Sequence, residues 1–408
     1  MLRFERDDSS IGVMPSRKVA VVGGCGHIGL PLSLVFAEHF DVLVYDVNVD
    51  AVAAVRRGQM PFAEAGADEA LQRALARGMI VSANPEGLTT CDDIVVVIGT
   101  PVDEHLNPSF GVFDRLFDDL VPYLRDGQTI VLRSTVYPGT TERMQRRLRD
   151  GGLDVEVVCC PERVAEGHAL DEIRNLPQLI AAFSERGFAA ARALFGPVAR
   201  ELIELQPLEA EMTKLFNNVF RYISFAVANQ FYMTASEYNL DFYKILHAMK
   251  HNYPRAAAMP RPGFAAGPCL FKDTMQLSAF NHNHFFLGHS AMLVNEGLPQ
   301  FVVRRMQQRW PDLHTKTVGV LGMAFKAESD DARESLSYKL KKILKLQARE
   351  VLCCDPYVAD ASLQSQEDVL ARADIFVVGA PHRRYAELDV GARPVVDVWN
   401  LLGKGGLV

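Results

Sequence analysis

Residues 18–29 read Lys-Val-Ala-Val-Val-Gly-Gly-Cys-Gly-His-Ile-Gly, and the fold turns on how that stretch is understood. The run from Lys18 to Gly24 is short, apolar and β-branched, so it reads as a buried strand, and a helical pattern follows from Ile28 to Glu38. A second apolar run, Val42-Leu-Val-Tyr, ends at Asp46 and completes a strand, helix, strand unit. In that context Gly24-Cys-Gly26-His-Ile-Gly29 has a mechanical meaning. The glycines permit a tight turn, close approach of backbone to a pyrophosphate and tight helix packing, while the helix N-terminus favours the phosphate charge. Gly24, Gly26, Ile28 and Gly29 are therefore candidate cofactor contacts. Asp46 stands 17 residues beyond Gly29, where a carboxylate accepts from both ribose hydroxyls and repels a 2′-phosphate. NAD, rather than NADP, is the expected cofactor.

Further apolar runs follow at Asp93-Ile-Val-Val-Val-Ile-Gly-Thr-Pro, Gln128-Thr-Ile-Val-Leu-Arg-Ser-Thr and Val155-Glu-Val-Val-Cys-Cys-Pro. Short β-branched runs alternating with helices predict a parallel sheet covered on both faces. The C-terminal part repeats this grammar. Thr317-Val-Gly-Val-Leu-Gly echoes the first strand, Val351-Leu-Cys-Cys-Asp355-Pro echoes the strand ending in Asp46, and Ala373-Asp-Ile-Phe-Val-Val-Gly-Ala-Pro echoes the run before Thr100-Pro101. Between the two halves, Met212, Leu215, Phe216, Val219, Phe220, Ile223, Val227 and Phe231 recur at helical spacing. So apolar a helix needs more than one partner, which points to a subunit interface. The expected fold is α/β: two doubly wound Rossmann-like domains joined by a helical middle domain. The expected divisions are a loose leader over residues 1–17, a cofactor domain over 18–205, a helical connector over 206–312 and a second doubly wound domain over 313–408.

A chain of 408 residues exceeds one ordinary core, which stops growing at roughly 250–300 residues. Apolar residues at 49% and charged residues at 23% are ordinary for a globular protein. The 50 acidic against 43 basic residues give a net charge of −7, which argues against nucleic acid or an anionic membrane as main partner. No apolar run reaches the roughly 20 residues of a membrane-spanning helix. The leader lacks the apolar segment of a secretory signal, so a cytoplasmic location is expected. The seven cysteines are scattered without metal-ligand spacing, and neither disulfides nor a metal is expected.

Each thiol then needs its own reading. Cys269 lies in Pro262-Gly-Phe-Ala-Ala-Gly-Pro-Cys-Leu-Phe-Lys272-Asp273, a Gly/Pro loop giving way to a helical pattern. A thiol near a helix start with a lysine three residues on has two reasons to form thiolate, and that describes a nucleophile. Cys91, Cys159, Cys160, Cys353 and Cys354 sit in or beside apolar runs as small hydrophobes, and Cys25 fills space in the glycine loop. Lys214 and Asn218, four apart, share one face of the long apolar helix. A lysine on a helix is most often solvated, but beside a thiol nucleophile the pair reads as a stabiliser of the oxyanion formed when thiolate attacks an aldehyde.

These residues carry a resemblance. From about Lys18 to the C-terminus the chain resembles the UDP-glucose/GDP-mannose dehydrogenase family of nucleotide-sugar 6-dehydrogenases. The motifs run in order: the glycine loop, Gly99-Thr-Pro-Val, Ser134-Thr135-Val with Pro138-Gly139, Pro161-Glu162-Arg with Glu166-Gly167, Glu211-x-x-Lys214-x-x-x-Asn218, Gly267-x-Cys269-x-x-Lys272-Asp273, Gly322-x-Ala-Phe-Lys326 and Asp331-x-Arg333-x-Ser335.

The resemblance implies an N-terminal NAD domain, a helical dimerising middle and a C-terminal domain for the UDP portion of a UDP-sugar. It further implies oxidation of a C6 alcohol to a carboxylate in two NAD-dependent steps without release of the aldehyde. By the same resemblance Cys269 forms a thiohemiacetal and then a thioester, Lys214 and Asn218 hold the oxyanions, and Asp273 positions Lys214 or a water. Glu162 with Thr135 handles protons, Thr100, Glu166 and Arg333 contact NAD, and Lys326 and Lys272 face the substrate. Pro161-Glu-Arg163 is similar to the branch acting on UDP-N-acetylhexosamines, and in that branch the counterpart of Arg255 reaches the substrate of the partner in a homodimer. The chain departs from the family at Ala265-Ala266, where Gly-Gly is usual, and at Pro268. Other readings are a UDP-glucose 6-dehydrogenase, a two-electron β-hydroxyacid dehydrogenase, against which the second doubly wound domain speaks, and a non-enzymatic NAD-binding protein.

Overall fold

The computed structural model describes residues 17–100, 103, 110–264, 267 and 269–406. The leader up to residue 16, the Pro101-Val102 end of one motif, and Ala265, Ala266 and Pro268 lie outside the described residues. The chain divides into two compact units.

The first unit, residues 17–99, 115–134 and 141–210, is built on one sheet. Its strands are β1 (Lys18–Val22), β2 (Asp41–Tyr45), β3 (Ile80–Ser82), β4 (Asp93–Val96), β5 (Thr129–Leu132), β6 (Glu156–Cys159), β7 (Gln178–Ala181) and β8 (Leu202–Leu205). They lie in the order β3-β2-β1-β4-β5-β6-β7-β8. From β3 to β6 the pairing is parallel, and β4 and β5 are buried at every position, as strands covered on both faces must be. The reversal of strand order beside β1 makes a crevice at the carboxyl ends of β1 and β4, where open α/β sheets bind ligands.

Beyond the strands that the sequence indicated, the sheet continues with a change of direction. β7 meets β6 antiparallel, and β8 runs parallel to β7. Between Cys160 and Pro177 there is one short helix, Ala169–Asn175, and the chain turns back instead of crossing over.

The second unit, residues 211–406 with 100, 103, 110–114 and 135–140, joins the helical middle to the second sheet. That sheet orders β9 (Thr317–Leu321), β10 (Glu350–Cys354), β11 (Ile375–Val378) and β12 (Val395–Val396) as β10-β9-β11-β12, all parallel. Tyr232, Phe242, Phe301 and Val302 from helices share one buried core with Val318, Val320, Leu340 and Val396. That shared core is why the middle and the C-terminal sheet form one unit. The long helix Pro207–Glu237 buries Leu215, Val219, Tyr222, Ala226 and Tyr232 on one side. Phe216, Phe220, Val227 and Phe231 remain exposed on another. Among the described residues no helix is long and apolar enough to cross a membrane.

Candidate active site

The cofactor end of the first unit is set by glycine sterics. A Cβ on Gly23 would lie 2.0 Å from the Val97 carbonyl oxygen, one on Gly24 2.6 Å from that of Val21, and one on Gly29 2.3 Å from that of Gly23. These glycines are required by packing alone. Gly26 is different: a Cβ there would meet only the Gly23 oxygen at 3.5 Å, so the protein itself has room for a side chain. Its absence leaves the space in which a pyrophosphate approaches the backbone. Ile28 occupies the N-cap of the first helix, Gly29–Phe36, without a side-chain cap, and no acidic residue stands in the first turn. Nothing there competes with an anion for the helix end. Asp46 follows β2 and is half-buried, accepting from the Cys25 N–H on one oxygen and the Asn48 N–H on the other, both at 2.9 Å. A carboxylate has about four acceptor sites, so Asp46 keeps capacity for a ribose diol. The residues present thus fit NAD.

Glu162 is buried just after β6 and touches Arg133, which is 1% exposed. Arg133 also donates to the Cys160 carbonyl and to Gln178 Oε1. Glu162 Oε1 accepts from the Arg163 and Val164 N–H groups, so its carboxylate is fixed in place. Sequence reasoning assigned Arg133 no role, although an arginine at the end of an apolar strand is a signal of a buried charge seeking a partner. Nearby, Glu64 accepts from the Gly167 and Ala169 N–H groups at 2.7 Å each and holds the turn that carries Glu166.

In the second unit the structure brings together several residues that are far apart in sequence. Cys269 is the N-cap of the helix Leu270–Phe280, and the Asp273 N–H donates to its carbonyl at 2.9 Å. Asp273 is fully buried. Its Oδ2 accepts from Asn218 Nδ2 at 2.5 Å, and its Oδ1 lies 2.7 Å from Lys272 Nζ. Lys272 also donates to Thr100 Oγ1 at 2.9 Å, and that hydroxyl donates to the Thr135 carbonyl at 2.7 Å. Of the two expected roles of Asp273, positioning Lys214 or a water, the structure shows no pairing with Lys214: the carboxylate is paired to Lys272 and Asn218. Lys214 is half-buried and has no hydrogen-bond or ion-pair partner among the described residues. Glu211, one turn before it, accepts from the Gly139 N–H at 2.6 Å and fixes the turn after Thr135, where Gly139 takes φ +91°.

The thiols divide sharply. Cys269 is exposed and the other six are buried. Burial pushes Cys25 and Cys160 up to about 12 and Cys353 and Cys354 up to about 11, and it raises Cys91 as well. None of those five can supply thiolate near neutral pH.

Of the expected substrate contacts, Lys326 places its ammonium 5.4 Å over the Phe325 ring. Arg333, expected at the cofactor, forks onto Asp331 at 2.6 Å. Arg255 is exposed on the turn Pro254–Ala256, stacked over Tyr253. Among the described residues no three His, Cys, Asp or Glu side chains converge as a metal site would require.

Known proteins share this architecture. A UDP-N-acetyl-D-mannosamine dehydrogenase of Pyrococcus horikoshii is 28% identical over 400 residues, covering 95% of this chain and 92% of its own. The solved structure of a UDP-D-ManNAc dehydrogenase from Pyrococcus horikoshii matches with a TM-score of 0.89 at 27% identity, over 96% of this chain and 98% of that one. A UDP-glucose dehydrogenase structure from Pyrobaculum islandicum matches at 0.87 and 26%, over 95% and 96%. The NAD binding domain of the UDP-glucose/GDP-mannose dehydrogenase family matches residues 17–199, its central domain residues 208–296 and its UDP binding domain residues 319–404. Since these three domains account in order for most of its length, the chain belongs to the UDP-glucose/GDP-mannose dehydrogenase family.

Proposed function

We propose that this NAD-dependent oxidoreductase converts the C6 hydroxyl of a UDP-N-acetylhexosamine to the carboxylate through a covalent adduct on Cys269. The observation that carries the reading is the exposed Cys269 at a helix N-cap, one turn from an Asp273 locked to Asn218 and Lys272. When bound, NAD accepts one hydride in each of two oxidations. After the first, the Cys269 thiolate adds to the C6 aldehyde, and Lys214 and Asn218 stabilise the resulting oxyanion. Half-buried and with its ammonium unpaired among the described residues, Lys214 can turn its charge to that oxygen. Oxidation of the thiohemiacetal leaves a thioester on Cys269. Water then hydrolyses it, with Glu162 and Thr135 handling protons, to release the uronic acid and restore the thiol. Asp273 holds Asn218 and Lys272 in place. Lys326 faces the UDP diphosphate, and Thr100, Glu166 and Arg333 lie toward NAD. The functional unit is a homodimer in which Arg255 reaches the other subunit's substrate.

The N-acetylhexosamine is favoured by Pro161-Glu-Arg163 and by the UDP-N-acetyl-D-mannosamine dehydrogenase relative. The test is NADH formation on UDP-N-acetylmannosamine, UDP-N-acetylglucosamine, UDP-glucose and GDP-mannose. One of the two N-acetyl sugars should give the highest kcat/KM, with two NADH per carboxylate. Preference for UDP-glucose would overturn the sugar, and a single NADH per product would overturn the four-electron route.

A further inference from the structure

After β9 the chain enters a loop, residues 322–331, that carries Phe325 and Lys326 and packs beside the nucleophile's own loop: a Cβ on Gly267, two residues before Cys269, would strike the Phe325 ring at 2.6 Å. Two buried groups hold this loop. Asp355, at the end of β10, accepts from the Met323 and Ala324 N–H groups on Oδ2, at 2.6 and 3.0 Å. Farther along, the Glu328 N–H donates to His382 Nδ1 at 2.9 Å. Because Nδ1 accepts there, the ring proton belongs on Nε2, which faces Asp355 Oδ2 at 3.0 Å and donates to it.

His382 is completely buried, with the rings of Tyr357 and Tyr385 at 5.0 and 5.5 Å. Glu328 takes a left-handed φ of +53°, a conformation that a non-glycine residue keeps only when its surroundings demand it. Those surroundings are His382 on its N–H, and the Arg383 N–H and Tyr357 hydroxyl on its carboxylate. The imidazole thus bridges the two anchor points of the loop, one on either side of Lys326.

We propose that His382 is a positioning residue for nucleotide binding: seated against Asp355, it accepts from the Glu328 N–H and by that bond fixes the 322–331 loop so that Lys326 presents its ammonium to the substrate diphosphate. The proposal rests on the reading of Lys326 given above.

Asparagine and glutamine separate the two bonds of the ring. The Asn oxygen falls near Nδ1 and can accept from Glu328, whereas the Gln amide falls near Nε2 and can donate only to Asp355. The full-length protein and its His382→Leu, His382→Asn, His382→Gln and Lys326→Ala variants are titrated calorimetrically with UDP and, separately, with NAD. Loss of the Glu328 bond, the one the ring makes to the loop itself, should weaken UDP about tenfold in His382→Gln, and at least as much in His382→Leu, which loses the Asp355 bond as well. His382→Asn should recover to within about twofold, and NAD affinity should stay within about twofold throughout. If His382→Leu does not fold, the Asn and Gln variants alone decide. Equal UDP affinity in those two would overturn the proposal, whether both match the parent or both fall with a lowered Tm. If Lys326→Ala binds UDP as the parent does, the reading of Lys326 fails. If Lys326→Ala weakens UDP while His382→Gln does not, the role of His382 fails and that of Lys326 stands.

Discussion

Cys269 differs from the other thiols in solvation, and solvation controls thiol chemistry because only thiolate attacks a carbonyl. Cys269→Ala should lower turnover by on the order of 10⁶, the loss typical of a removed covalent nucleophile. Cys269→Ser keeps an oxygen nucleophile whose ester hydrolyses more slowly than a thioester, so intact-protein mass spectrometry with NAD and the sugar nucleotide should show the retained sugar on Ser and none on Ala. Carboxylate formed by the Ala variant at a rate near the parent's would sink the covalent route. Asp46 invites a second residue-level test. With one oxygen on the Cys25 N–H and the other on the Asn48 N–H, its charge stands where a 2′-phosphate would sit. Parent enzyme should prefer NAD strongly, and Asp46→Ala should narrow the NAD to NADP ratio by about tenfold or more. The glycine turn, the place of Cys269 at a helix start and that of Lys214 and Asn218 on one helix were legible because each is defined by neighbours within a turn or a motif. Arg133 with Glu162, Lys272 with Thr100, and Asp273 with Asn218 were not, since those partners meet only when strands and helices from distant segments pack.

At the level of the element, the long helix Pro207–Glu237 was readable from its spacing, and its excess of apolar residues is what raised the expectation of a subunit interface. Phe216, Phe220, Val227 and Phe231 are 53%, 71%, 42% and 45% exposed along one stripe, a costly surface to leave in water. In the homodimer proposed above, a second copy of the chain would cover that stripe. Phe220→Glu should then shift the protein from dimer to monomer in sedimentation experiments, and a parent that sediments as a monomer would refute the interface. If Arg255 completes the partner's site, mixing Arg255→Ala with Cys269→Ala should restore about a quarter of parental activity, because half the dimers are hybrids holding one intact site of two. No recovery despite demonstrated subunit exchange would count against that contribution. The reversed β7 and its neighbour β8 were not legible. Gln178–Ala181 is four residues long, and strand direction is set by how the preceding connection turns, which periodicity does not encode.

Across the whole molecule, the repeated strand, helix, strand grammar correctly announced two doubly wound sheets, yet it hid a difference between them. Asp355 occupies in the second sheet the place of Asp46 in the first, after the second strand and against the first βα turn. Asp46 accepts two backbone N–H groups and stays half-exposed, whereas Asp355 accepts four, from Met323, Ala324, Tyr357 and Val358, together with His382. Its acceptor sites are saturated, so the second sheet cannot offer a ribose the carboxylate that the first sheet offers. One NAD per chain is the expected calorimetric stoichiometry, and two would contradict the assignment. The same saturation ties stability to acid. Burial alone would raise the Asp355 carboxyl, but His382 and the backbone donors outweigh it and hold it down at about 2, against an ordinary 3.8. A carboxylate depressed by folding lends stability above its unfolded value and loses it as pH falls through the folded one, so this contribution should be complete above about pH 4 and fade toward pH 2. Its size is about 2 kcal/mol, since each tenfold change in proton affinity is worth about 1.4 kcal/mol. Asp93 acts in the opposite sense, because burial raises it despite Arg17, and total acid stability therefore mixes both signs. Comparison of parent with Asp355→Asn isolates the one site. Urea unfolding between pH 2 and 7 should show the variant less stable at neutral pH, with a gap that shrinks by about 2 kcal/mol on acidification. A gap that stayed constant across that range would mean Asp355 is bound no more tightly in the folded chain than in water.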